Sequence, residues 1–204
     1  MTRMAVIDFE TTGISPEQGA RATEVAIVLV EQGRIVDRYQ SLMNAGVRIP
    51  PFITQLTGIS NAMVAGAPPA ALVMREASHF VGEVPLVAHN ASFDRKFWVG
   101  EMARAGEPAP QAFACTLLLA RRLYPQAPNH KLGTLVDLHG LRRTGAAHRA
   151  LADAEMAAEL LLRMQHDLRQ RYRLTTVDHP LLVTLQRCQR HEVHRLMAAH
   201  AQAA

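Results

Sequence analysis

The stretch from Arg3 to Phe9 constrains the fold more than any other. A short apolar run, Met4-Ala5-Val6-Ile7, is followed at once by Asp8-Phe9-Glu10 and then by Thr11-Thr12-Gly13. A run of this length bounded by a turn signal reads as a buried strand. Side chains alternate along a strand, so Asp8 and Glu10, two positions apart, leave the same face. Glu24 to Glu31 and Arg34 to Met43 read as two further strands. The tight Gln32-Gly33 turn between them predicts an antiparallel hairpin.

After Pro50-Pro51 the pattern changes period. A short helical turn is expected from Phe52 to Leu56. Apolar residues at helical spacing (Ala71, Leu72, Met74, Phe80) predict a helix over Ala70 to Val81. Val84 to Ala88 is strand-like and leads through His89-Asn90 into a helix from about Ser92 to Ala105. Phe113 to Thr116 reads as a brief extended piece, followed by helices at Leu117 to Leu123 and Leu132 to His139. Gly145-Ala146-Ala147 predicts a flexible loop. The stretch from Arg149 to about Arg171, rich in Ala, Leu, Glu and Met, is the most helix-like in the chain. Beyond Pro180, Leu181 to Ala199 is expected to form one last helix. Strands first, then strands alternating with helices, indicate an α/β fold with a mixed sheet. The natural division is a main domain over 1–171 and a helical extension over 172–204.

Composition narrows the function classes. Hydrophobic residues make up 49% of the 204 and charged residues 20%, which suits a globular chain with a substantial core. No apolar run approaches the roughly 20 residues that a membrane-spanning helix needs. The acid at position 8 leaves too short a lead for a secretory signal, so the mature protein is expected to start near Met1. Cys115 and Cys188 are the only cysteines and share no CxxC spacing, which argues for a reducing, cytoplasmic compartment. The net charge of +4 favours phosphate-rich partners weakly. Seven arginines against three acids between Arg163 and Arg195 make the end of the chain locally basic.

The chemistry rests on acids from distant stretches. Asp94 lies just past a strand end, where the chain turns into a helix. Asp153 falls in the first turn of the long helix, with His148 in the loop before it. Each is ordinary alone, since acids favour helix N-termini. Together they are two acids on a central strand, two at helix starts and one loop histidine. Hard Mg²⁺ or Mn²⁺ ions take several carboxylate oxygens and keep waters. Two such ions roughly 3.5–4 Å apart promote in-line phosphoryl displacement. An imidazole titrates near neutrality and suits deprotonation of the attacking water.

Val6-Ile7-Asp8-Phe9-Glu10-Thr11-Thr12-Gly13 resembles the first motif of the DEDD exonuclease superfamily. His89-Asn90-Ala91-Ser92-Phe93-Asp94 resembles the second. His148-Arg149-Ala150-Leu151-Ala152-Asp153-Ala154 resembles the third in its histidine-bearing, DEDDh form. Leu56-Thr57-Gly58-Ile59, Cys115-Thr116-Leu117 through Leu123-Tyr124-Pro125, and His130-Lys131-Leu132 are similar to the branch that includes the proofreading epsilon subunit of bacterial DNA polymerase III.

The resemblance implies a ribonuclease-H-like, five-stranded mixed sheet flanked by helices. It implies 3′→5′ hydrolysis of nucleoside monophosphates from single-stranded nucleic acid with a free 3′ end, DNA being favoured over RNA. Asp8, Glu10, Asp94 and Asp153 would hold two Mg²⁺ or Mn²⁺ ions, and His148 would be the general base. Thr11, Thr12 and Gly13 would line the terminal nucleotide, with Leu56 and Thr57 near its base or sugar. Relatives include monomers, homodimers and polymerase-bound subunits, so a DNA polymerase or a second copy is an expected partner. Two departures stand out: Ala152 replaces an acid that many relatives carry, and no glutamine-led clamp-binding motif is visible.

Two other readings use the same residues. One is an exoribonuclease or oligoribonuclease. The other is a catalytically silent nucleic-acid-binding or scaffolding module. His191-Glu192-Val193-His194 superficially resembles a zinc-protease helix, but that motif needs its second histidine at i+4, where Arg195 stands. His79, His139 and His166 read as surface or packing residues. Phe97 and Trp98 follow Asp94, and core packing is favoured over base stacking for at least one of them.

Overall fold

The structure is a computed structural model that describes residues 3–145 and 148–203. Ala146 and Ala147, in the loop expected at 145–147, lie outside the described residues, as do Met1, Thr2 and Ala204 at the limits of the expected domains.

Five strands form one mixed sheet: β1 (Arg3–Thr11), β2 (Ala22–Glu31), β3 (Arg34–Leu42), β4 (Leu86–Ala88) and β5 (Phe113–Cys115), in spatial order β3-β2-β1-β4-β5. β1, β2 and β3 are antiparallel, while β4 and β5 run parallel to β1. The hairpin turn has positive φ at both Gln32 (51°) and Gly33 (79°), the handedness that matches strand twist. Glycine tolerates that region freely, and it is the second residue here.

β1 and β2 are apolar on both faces because helices cover both. Ala5, Ile7 and Phe9 pack with Val25, Ile27 and Leu29 under α3 (Ala70–Val81) and α4 (Ala91–Ala105). Met4 and Val6 pack with Ala26, Val28 and Val30 under α7 (Ala150–Tyr172). Each fully buried Val, Leu, Ile, Phe or Met among them contributes about 1.5–3 kcal/mol. Phe97 and Trp98 of α4 are both fully buried, and the Trp98 indole N–H donates to Gln111 Oε1 at 3.1 Å. Both aromatics are therefore core residues.

The smaller helices are α1 (Pro51–Thr57), α2 (Asn61–Ala65), α5 (Thr116–Leu123) and α6 (Leu132–Leu138). α2 has no counterpart among the sequence expectations. It is a single short turn started by the Ser60 hydroxyl, which accepts from Met63 N–H.

The helix expected from Leu181 to Ala199 is two helices, α8 (His179–Leu185) and α9 (Val193–Ala203). The Asp178 carboxylate accepts from Leu181 N–H at 2.9 Å and starts α8 early. A reciprocal cap between Gln189 and Glu192 then opens a new helical segment. Between them, the Gln186 side chain reaches the sheet. Its Oε1 accepts from Cys115 N–H at 2.6 Å and its amide nitrogen donates to the Phe113 carbonyl at 3.2 Å. Leu181, Leu182, Leu185, Val193 and Met197 join the same core as α7. Among the described residues no helix is long and apolar enough to cross a membrane.

Candidate active site

The even-numbered residues of β1 face α7, so Asp8 and Glu10 point to the side on which Met4 and Val6 are buried. The first turn of α7 lies at the carboxyl end of β1. There Glu10, His148 and Asp153 bring ligand atoms within 4.8 Å of one another. Asp94, in the first turn of α4, enters beside them: its Oδ1 accepts the backbone N–H of Phe9 at 3.3 Å. Asp153 Oδ2 accepts the backbone N–H of His148 at 3.1 Å. That bond ties down a residue whose φ of +60° is unusual for a histidine. A left-handed conformation at a non-glycine residue costs on the order of 1–2 kcal/mol.

The electrostatics are those of an uncompensated acidic cluster. Burial pushes Glu10 up to about 8, with repulsion from Asp153 and Glu24 adding to it and Arg149 opposing it. Burial likewise raises Asp94 to about 8, against the pull of its backbone hydrogen bonds. Asp8 is raised well above the usual carboxylate range by burial, then by Asp94, Asp153, Glu10 and Glu24. Asp153 is raised by burial, in spite of the His148 N–H. A hard divalent cation among these acids would displace their protons to solvent and favour their ionised form.

Glu24 is the acid that the sequence reading missed. It stands directly across from Glu10 in the β1–β2 register and is 1% exposed. Its Oε1 accepts from Gln40 at 2.7 Å and from Arg149 Nη2 at 2.8 Å. Its Oε2 accepts from Arg149 Nε at 3.2 Å and from Ala150 N–H at 3.1 Å. Burial alone would raise it, but these hydrogen bonds prevail and hold it below its ordinary value. With both oxygens filled, Glu24 fastens the start of α7 to the sheet. The available signal was an acid opening the otherwise apolar run Val25 to Val30, with Arg149 beside His148.

The cleft above the cluster has a volume of about 700 Å³, and Thr11, Thr12, Gly13, Leu56 and Thr57 all line it. The Thr12 backbone is pinned on both sides: its N–H donates to Arg21 O at 2.9 Å and its hydroxyl accepts Arg21 N–H at 3.0 Å. The Arg21 guanidinium in turn grips the buried Glu101 with contacts of 2.8 and 2.9 Å. A Cβ at Gly13 would sit 3.3 Å from Ala20 Cβ, so the loop closes tightly there. The Thr57 hydroxyl is spent internally, donating to Ile53 O and accepting from Ile59 N–H. Ile14, Phe52 and Leu56 also line the cleft while remaining 76%, 65% and 53% exposed. Sequence reading singled out Leu56 but neither Ile14 nor Phe52, since a lone exposed apolar residue carries no pattern.

The remaining histidines lie elsewhere. His89 is held between the Thr116 hydroxyl and the His130 carbonyl, and burial lowers it to about 4. His194 packs edge-on against Tyr172 with ring centroids 5.2 Å apart, and Arg195 reaches Glu192.

Against this geometry, comparisons with known proteins agree. Residues 5–161 match the RNase T family of exonucleases. The chain is 36% identical over 195 residues to the 3′-5′ exonuclease DinG of Bacillus subtilis, covering 95% of this chain and 20% of that protein. It is 37% identical over 171 residues to the PolC-type DNA polymerase III of Halalkalibacterium halodurans, covering 83% and 12%. It thus spans a fifth or less of the length of these relatives. Exonuclease X, solved in complex with 5′ overhanging duplex DNA, superposes with a TM-score of 0.70 at 28% identity, covering 90% of this chain and 99% of that one. The nuclease domain of 3′hExo, a DEDDh family member bound to rAMP, shares the fold with a TM-score of 0.69 at 22% identity, covering 81% and 92%. The three motifs, the mixed sheet that carries them and the matched residues lead to one conclusion: this chain belongs to the RNase T exonuclease family.

Proposed function

We propose that the chain is a metal-dependent 3′→5′ exonuclease that releases nucleoside monophosphates from the 3′ end of single-stranded DNA. The observation that carries this reading is the meeting of Glu10, His148 and Asp153 within 4.8 Å, at the floor of a cleft wide enough for a nucleotide.

Asp8, Glu10, Asp94 and Asp153 hold two Mg²⁺ or Mn²⁺ ions in this reading. When bound, the ions supply positive charge that activates a water and stabilises the leaving oxygen of an in-line displacement. The donor set fits that role. Its acids repel one another, and Arg149, the cation that opposes the rise of Glu10, is committed to Glu24. Asp94 and Asp153 each have one oxygen fixed by a backbone N–H, which aims the other. His148 is exposed at the cleft and takes the proton from the attacking water. Thr11, Thr12 and Gly13 form a rigid floor beneath the terminal nucleotide, and Leu56 packs against its base or sugar, with Thr57 shaping the wall behind it. PolC-type relatives carry a similar region within a DNA polymerase, which supports a polymerase as partner.

The test is degradation of 3′-labelled single-stranded DNA and RNA by the purified protein with and without Mn²⁺. Mononucleotides released from the labelled DNA end only with metal are expected. Asp153→Ala is expected to slow release by roughly 10³-fold or more, about 4 kcal/mol. Undiminished turnover by Asp153→Ala would overturn the metal reading, and faster release from RNA would replace DNA as the substrate.

A further inference from the structure

Further hollows lie beside the cleft that holds the carboxylates. Because β1, β4 and β5 are parallel neighbours, their carboxyl ends emerge along one edge of the sheet. At ~4.8 Å per strand, the end of β5 lies ~10 Å from the end of β1. Two hollows of about 610 and 660 Å³ open along that edge and share Asn90, Leu117 and Arg121. They adjoin the cleft through the first turn of α4, where Phe93 lines the cleft while Ala91 and Ser92 line the second hollow.

The charges here are one-sided. Arg95, Arg121, Lys131 and Arg187 border the two hollows, and among the described residues no Asp or Glu does. All four cations are exposed, and among the described residues none is in an ion pair. By contrast, Arg38, Arg143, Arg163 and Arg195 each meet a carboxylate. The four come from four separate parts of the chain: α4, α5, the residue before α6 and the residues after α8. Arg187 is put there by its neighbour Gln186, whose side chain is locked to β5.

We propose that this groove carries the 5′-ward phosphates of the strand being cut, leading them from the acidic cluster across β4 to β5. The proposal rests on the exonuclease reading and extends it. It commits to the scissile strand because the hollow and the cleft are lined by consecutive residues, Ser92 and Phe93, at the start of α4. Each cation acts through a phosphate oxygen, so the contribution is independent of base sequence and sensitive to salt. It also gives a role to the segment after Pro180, which the motifs do not cover.

The experiment compares hydrolysis of a dinucleotide with that of a single-stranded dodecamer, in Mn²⁺, by the native protein and by Arg121→Glu/Lys131→Glu. A matched variant, Arg34→Glu/Arg75→Glu, changes net charge equally on exposed residues of β3 and α3. The dodecamer's advantage in kcat/KM over the dinucleotide should fall about 25-fold in 0.1 M salt for the groove variant and persist in the matched one. That figure is the counterion release of two phosphate contacts at ~0.7 each on a single strand. The slope of log(kcat/KM) against log[salt] should shrink by about 1.4. An undiminished length advantage would overturn the proposal. So would a loss confined to duplexes with recessed 3′ ends, which would give the groove to the complementary strand. Failure of the native protein to cleave either substrate would instead overturn the exonuclease reading beneath it.

Discussion

Glu10 and Glu24 are the same residue type, face each other across β1 and β2, and are both buried, at 9% and 1% exposure. Their charges are nevertheless managed in opposite ways. Glu24 meets Arg149, Gln40 and Ala150 N–H and is held below the usual carboxylate range. Glu10 has acids for neighbours and is pushed up to about 8. One position shows a carboxylate whose solvation the protein has replaced, and the other shows one whose solvation it has removed without replacement. The first holds a helix in place. The second is, in the proposed function, a ligand for a divalent cation. The difference shows that burial alone does not mark a site: the mark is a buried charge that the chain leaves uncompensated.

The largest effect expected from breaking this contrast is on stability. Arg149→Met leaves Glu24 buried with half of its hydrogen bonds gone; because the Arg149 side chain is itself 37% exposed, the cost should sit at the low end for a buried pair, about 3 kcal/mol. A urea midpoint lowered accordingly, with the slope unchanged, would confirm that the pair is structural. A midpoint within experimental scatter of the native one would show that Glu24 does not depend on its cation.

A smaller effect separates the other partner. Mn²⁺ at a hundred times its dissociation constant should stabilise the native protein by about 2.7 kcal/mol, or roughly 5–11 °C in Tm for a chain of this size. Glu10→Gln should reduce that increment while raising the Tm of the metal-free protein, because it removes an acid whose ionisation burial and its acidic neighbours oppose. A metal-free Glu10→Gln protein that melts below the native one would contradict the repulsion.

The dependence on pH is the most diagnostic contrast. Glu10 has its pKa raised from 4.5 to about 8, so the folded state holds the proton more tightly than the unfolded chain. Its contribution is full below pH 4.5 and is lost as pH rises through 8. The lowered value of Glu24 works the other way: its contribution is present above its ordinary value and is lost on acidification. Between pH 6 and 9, the metal-free protein should therefore become more stable as pH falls, and Glu10→Gln should flatten that slope without abolishing it, since Asp8 and Asp94 are raised too. A rising stability toward pH 9 would refute this.

Much of the fold was legible because its signals are local. The helix over Ala70–Val81 is found where its apolar spacing predicts, and the hairpin turn announces itself by Gln32-Gly33. The motif acids were legible for a related reason, since each sits at a strand end or in a first helical turn. The role of Glu24 was not, because its meaning lies in a partner 125 residues away. The break between α8 and α9 was missed because the apolar pattern from Leu181 runs through it. What interrupts the helix there is the pull of β5 on Gln186, and no helical period records that.

That same Gln186 has a consequence for association. The outer side of β5 is the end of the sheet, where a free carbonyl and N–H would invite another polypeptide to add a strand. The glutamine amide fills both positions, imitating one rung of the missing ladder. The sheet is thereby closed to growth at its β5 edge, and the nucleic-acid strand proposed to pass there would meet cations rather than exposed backbone.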